Sequence, residues 1–196
     1  MNKERLTAFS DGVIAIIIAI MVLELKVPHG ATLQALAGLV PTFLSYVLSF
    51  VFVAIYWNNH HHLLHAARRV NGTILWANMH LLFWLSLIPF ATGWMGENNF
   101  AELPAARYGV SMLMPAIAYF VLQGCIVRAN GADRSLAEAL GRDIKGKISF
   151  VIVAAGIGLA FVNHWMACAA YVLLASLWLI PDRRIERTIE GGYTSA

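Results

Sequence analysis

The chain has 196 residues, of which 59% are hydrophobic and only 13% charged, with a formal net charge of +3. A soluble domain carries about 25% charged residues, so an ordinary soluble enzyme is excluded, and an all-α integral membrane protein is expected. Cys125 and Cys168 lie in apolar stretches and read as buried free thiols, with neither a disulfide framework nor a metal-ligand spacing.

Six apolar segments follow in chain order, at about 6–27, 35–62, 73–96, 105–127, 146–163 and 165–181. Each approaches the roughly 20 residues that a helix needs to cross a bilayer. The first has no small-residue cleavage pattern behind it and runs into Glu24, Lys26 and Pro28, so no cleavable signal peptide is expected. Pro41, Pro89 and Pro115 are candidate kinks in the second, third and fourth segments. The last two are parted only by Asn163-His164-Trp165 and read as a tight helical hairpin. Segment 133–147 reads as a short amphipathic connector, residues 1–190 as one six-helix domain, and 191–196 as a frayed tail.

The loops supply the topology. If six helices alternate, Lys3, Arg5, Arg68, Arg69, Arg128, Arg134, Arg142, Lys145, Lys147, Arg183, Arg184 and Arg187 fall on one side. Lys26 and Arg107 fall on the other, with Glu97 and Glu102. Positive charge sorts to the cytoplasm, so both termini are expected there. Trp94 and Trp165 near the outer ends, and Trp57 and Trp178 near the inner ends, suit interfacial anchors.

Chemistry-bearing residues gather at two places. Arg5, Phe9, Ser10 and Asp11 open the first helix, where a carboxylate suits the helix dipole. They read either as a capped interfacial terminus or as a polar network fixing this helix to another. Behind them comes a run of apolar residues in which Ile16, Ile20 and Leu23 share one face, with Gly12, Ala15 and Ala19 on a neighbouring face. Periodicity alone makes the isoleucine stripe a packing or lipid-facing surface. The second helix ends in Tyr-Trp-Asn-Asn-His-His-His, and Trp57 and His60 are natural partners for Ser10 and Asp11 at the same depth. His61 and His65 have i, i+4 spacing, which could hold zinc or iron, but no carboxylate or cysteine is near in sequence. A membrane enzyme or haem/metal protein built on His60, His61, His62 and His65 is thus a rival reading. His80, alone in the third segment, is expected to hydrogen-bond within the bundle, with a proton-relay role as its alternative. Glu24 and Lys26 close the outer end of the first helix. No Thr-Val-Gly-Tyr-Gly filter, phosphate-binding Gly-rich loop or Ser/His/Asp pattern is present.

Arg5-x-x-x-Phe9-Ser10-Asp11 at the head of the first of six helices, with Tyr56-Trp57-x-x-His60 on the second, resembles the endolysosomal potassium channel family of transmembrane protein 175. The resemblance implies a non-enzymatic channel, without cofactor, in a prokaryotic plasma membrane. Its partners would be other copies of itself in a homotetramer, membrane lipid and monovalent cations, with no nucleic acid. The first helices of four subunits would line the pore. The apolar filter would fall at Ile16, with further layers at Ile20 and Leu23. Arg5, Phe9, Ser10, Asp11, Trp57 and His60 would orient the pore helix. Some family members carry a threonine one turn past the first layer, where this chain has Ala19. Weak to moderate selectivity for potassium over sodium is therefore the expectation. A proton-conducting channel or transporter using Asp11, His60 and His80 is the alternative.

Overall fold

In the structure, a computed structural model, residues 2–67, 69–129 and 144–179 are described. Helix α1 (Lys3–Leu23) starts where the Asn2 side chain caps it by accepting from the Glu4 backbone N–H. A five-residue helix α2 (Leu33–Ala37), capped by Thr32, precedes α3 (Val40–Ala66). The second apolar segment therefore starts at Val40, not 35: Gly38 and Leu39 break the path, and Pro41 sits in the first turn of α3. At that position proline's missing N–H has no helical partner to lose, so Pro41 starts the helix rather than kinking it.

Asn71 caps α4 (Gly72–Ser86) by accepting from Ile74 N–H at 2.9 Å. Pro89 has no N–H to offer the carbonyl one turn back. The third apolar segment accordingly breaks at Leu87, whose N–H makes a tighter bond to Trp84 O, and resumes as α5 (Ile88–Glu97). Helix α6 (Glu102–Ala129) carries Pro115 inside an unbroken span. Helices α7 (Ile144–Ala160) and α8 (His164–Leu179) form the expected hairpin, with Asn163 accepting from Trp165 N–H at the turn. Four stretches, Lys3–Leu23, Val40–Ala66, Gly72–Glu97 and Glu102–Ala129, are long and apolar enough to cross a membrane. Most of 133–147, the tail 191–196, and Arg68, Arg134, Arg142, Arg183, Arg184 and Arg187 lie outside the described residues.

Helix α6 is the hub, packed against α4, α5, α7 and α8, while α1 packs on α3, α4 and α5. Close approach at the hub rests on glycine. A Cβ on Gly109 or Gly156 would collide with the fully buried Tyr171 ring, whose hydroxyl donates to Ala105 O at 3.2 Å. A Cβ on Gly96 would likewise meet Ser45 and the Thr42 backbone of α3. Small residues of this kind let helices pack closely where the hydrophobic effect gives no drive between them. Buried hydroxyls add polar bonds: Thr92 and Ser49 lie 2.7 Å apart, and Ser49 and Tyr108 3.0 Å apart, joining α5, α3 and α6. Cys125 and Cys168 are free and half-buried rather than fully buried.

Two contacts fix the ends. Lys3 Nζ donates to His65 O at 2.7 Å, setting the start of α1 beside the end of α3. Just past α1, Lys26 pairs with Glu97 at the end of α5. The hydrogen bond Lys26 donates to Glu97, and then the Glu97 charge, hold the Lys26 ammonium above the usual lysine range. Both partners are exposed, so the pair marks geometry more than stability.

Candidate functional site

Helix α1 has two contrasting faces. Leu6, Ser10, Ile14, Ile17 and Met21 recur every three or four residues and are buried against the rest of the chain. Ile16, Ile20 and Leu23 lie on the other side, 60%, 42% and 82% exposed, so the described residues leave them largely uncovered. Gly12, Ala15 and Ala19 are exposed too, and a Cβ on Gly12 would meet nothing within 4 Å. The small residues therefore do not pack within the chain. They run beside the branched residues along one continuous uncovered surface.

The buried face is tied by a polar chain through three helices. Ser10 Oγ donates to Leu6 O at 2.8 Å and accepts from Asn78 Nδ2 at 3.0 Å. Asn78 Oδ1 lies 2.7 Å from His60 Nε2. A carbonyl oxygen only accepts, so His60 carries its proton on Nε2 and Nδ1 is bare. Among the described residues Nδ1 has no partner. Ser10, Asn78 and His60 are all fully buried. One residue further along α1, Trp57 Nε1 donates to Asp11 Oδ1 at 2.9 Å. These bonds link α1 to α3 twice, directly and through α4.

Ser10, Asp11, Trp57 and His60 thus come together. Arg5 and Phe9 do not join them within one chain: both are exposed, with Phe9 on the side of Ile16. Asn78, the centre of the chain of bonds, was not singled out from the sequence. An asparagine inside an apolar helix, level with Ser10 and His60, was the available signal. His80 is a correction. It is exposed rather than bonded inside the bundle, and its Nε2 accepts from Trp84 of the same helix at 2.8 Å. The i, i+4 spacing of His80 and Trp84 makes that local bond available without any neighbouring helix. His61 stacks on Trp57 and His65 on the exposed side of α3, away from His60. Among the described residues no three His, Cys, Asp or Glu side chains are grouped to hold a metal ion.

At the C-terminal end of α1, Glu24 and Glu97 line an open hollow of about 390 Å³ beside Ile20, between α1 and α5. The arrangement offers an apolar helix face with polar anchoring behind it and carboxylates at one mouth. No side chain on that face can act as a nucleophile or a general base.

The comparisons with known proteins agree in kind. The family described as "Endosomal/lysosomal potassium channel TMEM175" matches residues 5–89, which hold α1, α3 and α4. A potassium channel of Chryseobacterium sp. (strain P1-3) is 52% identical over 190 residues, covering 97% of this chain and 99% of that protein. The human endosomal/lysosomal proton channel TMEM175 is 32% identical over 116 residues, covering 53% of this chain and 23% of that protein. The crystal structure of a lysosomal potassium-selective channel TMEM175 homologue from Chamaesiphon minutus superposes with a TM-score of 0.81 at 26% identity. It covers 91% of this chain and 96% of that one.

Proposed function

This chain belongs to the TMEM175 family of ion channels, and from that membership we propose a homotetrameric, potassium-permeable cation channel of a prokaryotic cell membrane. Its preference for potassium over sodium is weak to moderate. Each subunit crosses the membrane six times, with both termini cytoplasmic. The observation that carries this reading is the division of α1 into a bonded face and an uncovered apolar face. Ser10 and Asp11 hold the helix to α3 and α4, and Ile16, Ile20 and Leu23 point away from the chain. Four such faces around an axis make a pore. Gly12, Ala15 and Ala19 let the four helices approach closely.

The topology has independent support. Lys3 and the end of α3 share one end of the bundle, while Lys26 and Glu97 share the other. Basic residues crowd the first end. Helices α7 and α8 have 17 and 16 residues, at the short limit for spanning.

A ring of four isoleucines at Ile16 offers no oxygen to replace water. An ion crosses it hydrated or partly stripped, and the ring can close by dewetting. Potassium sheds water more readily than sodium, so a narrow apolar ring favours potassium without coordinating it. Ile20 and Leu23 extend the apolar path outward. Ser10, Asp11, Trp57 and His60 set the helix orientation and do not touch the ion at its narrowest point, while the exposed Arg5 and Phe9 are left to meet a neighbouring copy.

Reversal potentials under potassium and sodium gradients in reconstituted bilayers test the assignment. Ile16→Asn wets the ring, and the potassium-to-sodium permeability ratio falls towards one. An unchanged ratio removes Ile16 from the filter. The second reading, a proton path, is favoured by the names of the vertebrate relatives and by the buried chain from Ser10 through Asn78 to His60. It predicts current driven by pH alone with no permeant alkali cation present.

A further inference from the structure

Away from α1, a crevice opens between α3, α6, α7 and α8. Its wall is carbon: Phe52, Leu113, Ala116, Phe120, Phe150 and Val153 contribute. Besides Asn59, the polar side chains in the wall have their hydrogens engaged elsewhere. Tyr56 Oη donates to Met112 O at 3.1 Å, Tyr119 Oη to Asn59 O at 3.2 Å, and Trp178 Nε1 to Ser149 Oγ at 2.7 Å. The crevice therefore presents apolar surface to its occupant, despite two tyrosines and a tryptophan.

Its place in the bundle narrows the occupant. The lining comes from the middle and second half of α3, the middle of α6, the first ten residues of α7 and the last turns of α8. It lies at mid-height on α6 and towards the basic end on the other three. From Met112 to Phe120 the wall rises about 12 Å, close to the depth of one leaflet's hydrocarbon. The cavity is about 60 Å³, a narrow slot. A helix about 10 Å across is too wide for it, so a partner helix does not fit. At the basic end Gly146 forms the floor, with Lys145 before it and Lys147 after it on the first turn of α7. Neither lysine lines the crevice itself, but the two put positive charge beside its basic end. Basic pockets between membrane helices on the cytoplasmic side suit anionic lipid headgroups.

We infer that this crevice is a binding site for an anionic phospholipid of the cytoplasmic leaflet, one acyl chain lying between α3, α6 and α7 and the headgroup held at Lys145 and Lys147. Only the orientation in the membrane is taken from the channel reading. The site does not depend on which ion the protein conducts.

Native mass spectrometry of the full-length protein, titrated with phosphatidylglycerol and phosphatidylcholine of matched chains, tests it. The unaltered protein retains phosphatidylglycerol over phosphatidylcholine. The double variant Lys145→Gln/Lys147→Gln loses that preference by about tenfold or more, each lysine near a membrane surface being worth roughly fivefold. Ala116→Phe fills the crevice and lowers retention of both lipids, and Val153→Phe does so from α7. Circular dichroism identifies whichever filling variant keeps its helix content. Two results overturn the inference. One is lipid retention untouched by a folded filling variant. The other is no preference in the unaltered protein, as expected if residues 130–143 or a second copy occupy the crevice.

Discussion

Asn78 uses both ends of its amide, giving a hydrogen to Ser10 on α1 and receiving one from His60 on α3. Hydrogen bonds between membrane helices average about 0.6 kcal/mol, with about 1.7 at the top of the measured range. Asn78→Ala removes two of them and leaves His60 Nε2 without a partner, so a loss of about 1–3 kcal/mol is expected. Thermal unfolding of the solubilised protein reads it. His80→Ala on the same helix serves as the control and leaves the midpoint nearly unchanged, because His80 is exposed and bonded only to Trp84. If both variants unfold alike, the buried chain does not hold α1. The contrast also shows what the sequence discloses at this scale. Ser10 with Asp11, and Trp57 with His60, were legible because charge and polarity stand out at a helix mouth. Asn78 and His80 look equivalent in sequence, two residues apart in one apolar span. Only the rotation of α4 against its neighbours, turning one inward and the other out, separates them.

At the scale of elements, the tightest constraint is the meeting of α6, α7 and α8 around Tyr171. Gly109 and Gly156 are empty where the Tyr171 ring lies. Gly109→Ala drives a methyl group into the Tyr171 hydroxyl and the Ile157 side chain, and overpacking of that kind costs about 1–3 kcal/mol. Tyr171→Phe relieves part of the clash. The double variant is therefore expected to be more stable than the sum of the two single losses, and urea or thermal unfolding of all three checks this. Strict additivity would mean that the glycine serves something other than the ring. Segment positions were legible from hydropathy, and the break at Leu87 follows from the missing N–H of Pro89. The separate helix Leu33–Ala37 was not, because its apolar residues run without interruption into those of α3. Which glycines admit a neighbour depends on the partner's side chain, so hydropathy gives no access to them.

For the whole molecule, assembly is the open prediction. Among the described residues a Cβ on Gly12 would meet nothing within 4 Å, so Gly12→Leu is expected to leave the subunit fold intact. In a tetramer built on α1 the same side chain lies in the tightest contact between copies. Light scattering in detergent should show the mass falling below four subunits, with helix content unchanged. A tetramer that survives Gly12→Leu places the contact between copies on another helix. Hydropathy made the all-helical membrane bundle legible. The uncovered stripe on α1 looked like any lipid-facing surface until the motif at Arg5 to Asp11 gave it a reading.

The bonding along α1 is lopsided. Lys3, Ser10 and Asp11 all hold the first half of the helix, whereas every residue from Gly12 to Leu23 is apolar and has no hydrogen bond to give. Carbon surfaces slide past one another without leaving a group unpaired, but amides and carboxylates do not. Among the described residues, polar bonds therefore fix α1 in its first half at Ser10 and Asp11, and beyond its far end only the exposed Lys26–Glu97 pair does so. From Ser10 to Leu23 the helix runs about 20 Å, so a tilt of about 5° about the bonded half would swing its tip by about 1.7 Å, against that one exposed pair.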